Sequence, residues 1–168
     1  MLSEACDRIL AGWPAFVASR IPAAPTLIHR DYHAQQLFFA SQRGGRFAVY
    51  DWQTVSIGNG ADDVSRILAM GLRSADRAVN ERRLIDRYYA GLLQRGVTDY
   101  SAERCMRDVR LGMAGSLTTN VMAAATIDLS LFVEREAETG VTVIYAVFDR
   151  LARAFEAHDV LSLLPARA

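Results

Sequence analysis

The 168 residues carry nineteen acidic and nineteen basic side chains, every basic one an arginine, and 51% of positions are apolar. Such a chain can bury the core of one domain. Its balanced charge gives no positive field for nucleic acid or an anionic membrane, and the lack of lysine excludes a Walker A phosphate loop.

Cys6 and Cys105 are too far apart for a paired-cysteine zinc motif and too few for a disulfide framework, so both are expected as free thiols. The start, MLSEACDRIL, has acidic residues and no basic segment leading into an apolar run; it does not read as a secretion signal, and the cytoplasm is the expected compartment. The longest uncharged run, Leu111 to Ile127, is interspersed with threonine, asparagine, serine and glycine and stops at Asp128, which fits a buried helix better than a membrane span.

In chain order, Ser3 can cap a first helix, with Glu4 set favourably against its dipole and Leu2, Ile9, Leu10 and Trp13 along one face. Pro14 kinks or restarts it, and it ends near Ser19. The prolines of IPAAP exclude regular helix, and TLIH follows as a short apolar strand. QLFFA and RFAVYDW are two more strand-like runs, joined by SQRGG, whose adjacent glycines permit the positive backbone angles of a hairpin loop. After the glycines of SIGNGA the period becomes helical, with Val64, Ile67, Leu68 and Met70 in register. A long helix is expected from about Asp76 to Arg95, with Val79, Leu84, Ile85, Tyr88, Leu92 and Leu93 toward one side and Gly96 as its stop. Ser101 can cap the next helix, whose Gly112, Ala114, Gly115 and Ala123 to Ala125 let neighbours approach closely and place it at the centre of the helical layer. A last helix around Val141 to His158 carries Ile144, Val147, Phe148, Leu151 and Phe155. The expected fold class is α+β, mostly helical: one domain over 1–168, with a small antiparallel hairpin in a motif segment 27–64 packed on a helical bundle over 62–160.

The chemistry is concentrated in LIHRDYHAQQLFF, Leu27 to Phe39. Asp31 follows the first strand and Asp51 closes the hairpin, so chain reversal can return the two carboxylates to the same end of the sheet. Two carboxylates and a side-chain amide there can orient a hydroxyl nucleophile and hold a hard cation such as Mg²⁺, which takes oxygen ligands and keeps some of its waters. Phosphoryl transfer needs that arrangement, because its transition state asks for positioning and charge neutralisation more than for covalent help. A second reading takes His29, Asp31 and His33 as alternate residues of an extended strand that present two imidazoles and a carboxylate to zinc or iron. The glutamates of FVEREAETG read as a solvated helix end rather than a lure for a cationic acceptor.

HRDYHAQQLFF followed by FAVYDWQTVSIGNGADDVSRIL resembles the catalytic segment of the aminoglycoside phosphotransferase and choline kinase-like family, with an H-G-D-x-H-x-x-N loop, a hairpin, D-W or D-F, then G-D-P-x-x-D-L. The D-W-Q-T-V wording is most similar to the ecdysteroid kinase-like branch. The resemblance implies a protein kinase-like carboxy-terminal lobe that binds ATP and Mg²⁺ and phosphorylates a small-molecule alcohol. It implies Asp31 as the catalytic aspartate, Gln36 and Asp51 as metal ligands, Phe38 and Tyr50 at the nucleotide, and His29, His33, Trp52 and Asp63 as support.

The chain departs from that pattern in three places. Gln36 stands where most relatives have asparagine, which adds a methylene. Arg30 stands in place of the usual glycine, and Gln53 in place of the glycine of D-F-G. Relatives also clamp the phosphates with an amino-terminal lobe carrying a covering loop and a lysine. About 25 residues precede the first strand here and lysine is absent, so that lobe is expected to be missing. Loss of one preorganised donor costs about 3–4 kcal/mol in the transition state, and the chain alone is expected to show little or no turnover. Its expected partners are the alcohol substrate and either the complementary lobe or a second copy over an apolar surface around Phe38. A noncatalytic pseudokinase-like binding or scaffold domain is the alternative.

Overall fold

The last helix-rich two-thirds of the chain wraps around one long helix, and the motif segment lies against its flank. The computed structural model describes residues 1–22, 24–40, 45–128, 130–140 and 142–166, without the side chains at 131, 134, 135, 138 and 139. The helices are α1 (Leu2–Ala11), α2 (Trp13–Ser19), α3 (Gly60–Arg66), α4 (Ser74–Gln94), α5 (Ala102–Thr126), α6 (Ser130–Thr139) and α7 (Val143–Ala157), with strands β1 (Thr26–Ile28), β2 (Leu37–Phe38), β3 (Ala48–Val49) and β4 (Ser56–Gly58). The fold is α+β and mostly helical. No helix among the described residues is long and apolar enough to cross a membrane.

α5 is central, as its small residues predict. Ser101 caps it, its hydroxyl accepting from the Arg104 N–H at 3.2 Å. Val109, Met113, Ala114 and Leu117 join Leu68 of the turn after α3, Ile85 of α4 and Leu151 and Phe155 of α7 in one core. α3 crosses α5 at Gly112, where an added Cβ would collide with Ser65 Oγ. The Ser65 hydroxyl, fully buried between the helices, lies 2.7 Å from the Val109 carbonyl and 2.5 Å from that of Ala61. Gly112→Ala is therefore expected to push α3 off α5 and lower stability by about 1–3 kcal/mol, the usual cost of overpacking. Urea denaturation checks this; an unchanged midpoint would show that the crossing is looser than described.

Arginine repeatedly closes the ends of helices here. Its planar fork can reach two carbonyls at once, which an ammonium cannot match. Arg8 donates to Pro165 O and Leu164 O at 2.8 and 2.7 Å, pinning the carboxy-terminal turn to α1. Arg110 donates to His158 O and Asp159 O, both at 2.6 Å, at the end of α7. Arg150 donates to Met70 O at 2.8 Å, in the π-helical turn Ile67–Gly71 that ends the α3 segment.

Several boundaries differ from those read in the sequence. α1 begins at Leu2 with Met1 at its cap position, so Ser3 lies inside the helix and makes no capping bond. Of the expected face, Ile9 is buried and Leu2 packs on the core, while Leu10 and Trp13 are exposed and Ala5 and Phe16 are buried instead. α4 stops at Gly96 (φ +86°), as expected, but Val79 and Leu93 face outward. α6 is a separate helix between the two that were expected. The hairpin pairs Leu37 with Val49 and Phe38 with Ala48; its loop residues 41–44, and with them the expected role of Gly44, lie outside the described residues. Ser56–Gly58, read as the approach to a helix, is a strand that pairs antiparallel with β1, Leu27 opposite Ile57.

Candidate active site

The β1–β4 pairing sets the site. It carries the chain after β1, residues 29–33, alongside the start of α3, and Asp63 in the first turn of that helix grips it. Asp63 Oδ2 accepts the His29 N–H at 2.7 Å and Oδ1 accepts the Arg30 N–H at 2.9 Å. Arg30 has φ +66°, in the left-handed region where a Cβ is strained. That geometry gives a physical reason for the glycine usual at this place in the motif the segment resembles, and the paired bonds from Asp63 are what hold an arginine there. Arg30→Gly is expected to raise stability by roughly 0.5–1 kcal/mol: strain relief of about 1–2 kcal/mol, less the entropy that glycine adds to the unfolded chain. A thermal melt checks it, and a lower melting temperature would contradict the strain argument.

His29 is buried and joins the two halves of the motif. Its Nε2 faces the Tyr50 carbonyl at 2.8 Å, an acceptor only, so the proton sits on Nε2 and Nδ1 accepts the Asp31 N–H at 3.3 Å. Thr54 Oγ1 donates to the His29 carbonyl at 2.9 Å, and the Trp52 ring lies 4.7 Å from the imidazole, its Nε1–H on Val49 O. His29 and Trp52 thus lie between the loop that carries Asp31 and the strand end that carries Asp51. The alternating zinc-ligand arrangement does not form: β1 ends at Ile28, and both ring nitrogens of His29 have other partners.

Asp31 and Asp51 converge on one side chain. The buried Gln36 amide donates from Nε2 to Asp51 Oδ2 at 3.0 Å and to Asp31 Oδ2 at 3.3 Å. Asp51 is itself in the left-handed region, φ +64°, at the head of the turn Trp52–Thr54, a backbone outlier of the kind that collects at functional sites. Its Oδ1 makes no hydrogen bond among the described residues. His33 completes the group, with Nε2 3.4 Å from Asp31 Oδ2 and 3.5 Å from the Gln36 amide nitrogen.

Arg66, which the sequence reading left out, pairs with Asp31 Oδ1 at 2.5 Å. A signal for it was present: it lies three residues after Asp63 on one helix, so both face the same way. The His33 hydrogen bond and then the Arg66 charge hold the Asp31 carboxyl well below the usual carboxylate range, against the opposing effect of burial. Asp31 is therefore an anion at any pH near neutrality.

The aromatic side chains beside this group are exposed, Phe38, Phe39 and Phe47 by more than half and Tyr50 by somewhat less. Phe38 and Tyr50 lie 5.0 Å apart on one face of the hairpin, and Phe39 and Phe47 5.4 Å apart on the other. The Tyr50 hydroxyl donates to Gln35 O at 2.8 Å, which fixes its ring.

Among the described residues no three His, Cys, Asp or Glu side chains are placed to hold a metal ion. The donor set suits a hard cation that brings waters and phosphate oxygens of its own: Asp51 has a free oxygen, and a half-turn of the Gln36 amide would present its carbonyl oxygen.

Residues 17–107 match the family model described as uncharacterized oxidoreductase dhs-27, a family linked to the CHK and ecdysteroid kinase-like group. The match takes in more than half of the chain and both motif aspartates, and the chain belongs to that family. No curated protein and no solved structure matches it.

Proposed function

We propose that the chain is the carboxy-terminal, catalytic lobe of a small-molecule kinase of the aminoglycoside phosphotransferase and choline kinase-like kind, moving the γ-phosphoryl group of ATP or another nucleoside triphosphate to an alcohol. The observation that carries this reading is the convergence of Asp31 and Asp51 on the Gln36 amide. Asp51 and Gln36 would hold Mg²⁺, with Phe38 and Tyr50 against the base. Mg²⁺ bound there would neutralise charge on the phosphate oxygens. Asp31 would receive the acceptor's O–H as a hydrogen bond and fix its oxygen in line with the phosphorus. A strongly acidic carboxyl is a weak base, yet it suits a loose transition state in which the proton leaves late and orientation matters most.

The exposed Phe38 and Tyr50 mark the face on which a second lobe, or a second copy of the chain, would close over the nucleotide. The oxidoreductase of the family's description would call for a dinucleotide cradle; the glycines include no G-x-G-x-x-G spacing, and the paired strands are antiparallel.

Calorimetric titration of Mg–ATP into the full chain tests the binding half of this reading. Asp51→Asn is expected to weaken the affinity at least about tenfold, as loss of a charged ligand does; equal affinities would contradict the assignment. A noncatalytic binding domain is the second reading, favoured by the engagement of both Asp31 oxygens with Arg66, His33 and Gln36. On that reading Mg–ATP binds and no alcohol is phosphorylated even when a complementary lobe is supplied.

A further inference from the structure

Behind the catalytic loop, away from Asp51, a cavity of about 230 Å³ opens between the end of α2, the first turns of α3 and the middle of α5. Three guanidinium groups line it: Arg20, Arg30 and Arg66. Two carboxylates face them and both have partners. Asp62 Oδ1 takes the Arg20 Nη2–H at 2.9 Å, and both oxygens of Asp63 are occupied by backbone N–H groups. Arg30's guanidinium makes no hydrogen bond or ion pair among the described residues.

Two details mark the cavity as more than a surface dent. The Nε–H groups of Arg20 and Arg66 are both shielded from solvent and have no acceptor. Such donors are rare in folded proteins and call for an explanation. The wall is also shaped for arginine: a Cβ on Gly115 would overlap the Arg20 guanidinium, so α5 is bare where that group lies.

We propose that this cavity binds a small oxyanion, a phosphate- or carboxylate-bearing group, through Arg20, Arg30 and Arg66. Acceptor oxygens in the cavity would bond to the unpartnered Arg30 guanidinium and to the outer nitrogens of Arg20 and Arg66, groups whose planar forks suit such oxygens. Arg66 joins this place to the catalytic loop, since its Nη2 holds Asp31. The anion has two possible sources: the acidic group of the acceptor alcohol, or a free anion such as inorganic phosphate.

Inorganic phosphate is titrated into the full chain at fixed ionic strength, followed by calorimetry and by the arginine Nε–H resonances. The expected result is saturable binding that shifts the Arg20 and Arg66 signals and is weakened at least about tenfold in Arg30→Gly, a variant that relieves backbone strain and so keeps its fold. A phosphorylated alcohol that binds more tightly than phosphate points to the acceptor, and the reverse order to the free anion; both support the site. An equal response to chloride, binding unchanged in Arg30→Gly, or no saturable binding overturns it. The assay needs neither ATP nor turnover, so its failure is distinct from failure of the kinase reading.

Discussion

Asp31→Asn is expected to reduce transfer of the γ-phosphoryl group to an alcohol by about two to four decades, the range typical of a positioned acid–base group. The substitution keeps the size of the side chain and an acceptor for Arg66, while removing the charge that orients the acceptor hydroxyl. The Asp31 carboxylate sits between Arg66 at 2.5 Å and the His33 imidazole at 3.4 Å, so its place is fixed before any substrate arrives. Because the loss falls on positioning in the transition state, kcat is expected to fall while the affinity for Mg–ATP holds near wild type. A screen of alcohols with the full chain mixed with a complementary amino-terminal lobe, following labelled phosphate, reads this. A variant as active as the wild type would remove Asp31 from the chemistry, and a wild type that binds Mg–ATP but transfers to no alcohol would favour the noncatalytic reading.

Asp63→Ala is expected to be the most damaging change to stability, by roughly 3–4 kcal/mol. Its two oxygens hold two consecutive backbone N–H groups, and a hydrogen bond to a charged group contributes about 1.5–3 kcal/mol. One of those groups belongs to Arg30, whose left-handed backbone has little else to hold it. Loss of the grip also frees His29, which carries Tyr50 and so the approach to Asp51. Denaturant unfolding gives the magnitude, and Arg30→Gly in the same background is expected to recover part of the loss. A change below about 1 kcal/mol would mean that the β1–β4 pairing alone sets the loop.

The sequence made some of this legible for physical reasons. α5 was readable because Gly112, Ala114 and Gly115 fall on a helix with a serine at its cap, and small residues at helical spacing have little other purpose in a core. Asp31, Asp51 and Asp63 were readable because their order and spacing repeat a known pattern, and the structure brings each of them into contact with the loop that follows β1. β4 was hidden: Ile57 is flanked by Ser56 and Gly58, which have weak strand preference, and the strand exists through pairing with Thr26 to Ile28 some thirty residues earlier. Ser3 was a sound cap by residue type, yet the helix starts two residues sooner and no local rule decides between the two. Arg66 was missed because an arginine in a helix reads as a wet face; its partner becomes visible only once α3 is laid against the loop. The cavity of Arg20, Arg30 and Arg66 was out of reach for the same reason, since its walls come from four separated segments.

The central claim is that the carboxylates of Asp31 and Asp51 share one cation and nucleotide site. Mn²⁺ added with ATP to the isotopically labelled full chain tests it through paramagnetic broadening. The account predicts broadening centred on the Gln36 side-chain amide and the backbone of Asp51 and Asp31, lost in Asp51→Asn. Broadening centred elsewhere in the molecule, or undiminished by that substitution, would contradict it.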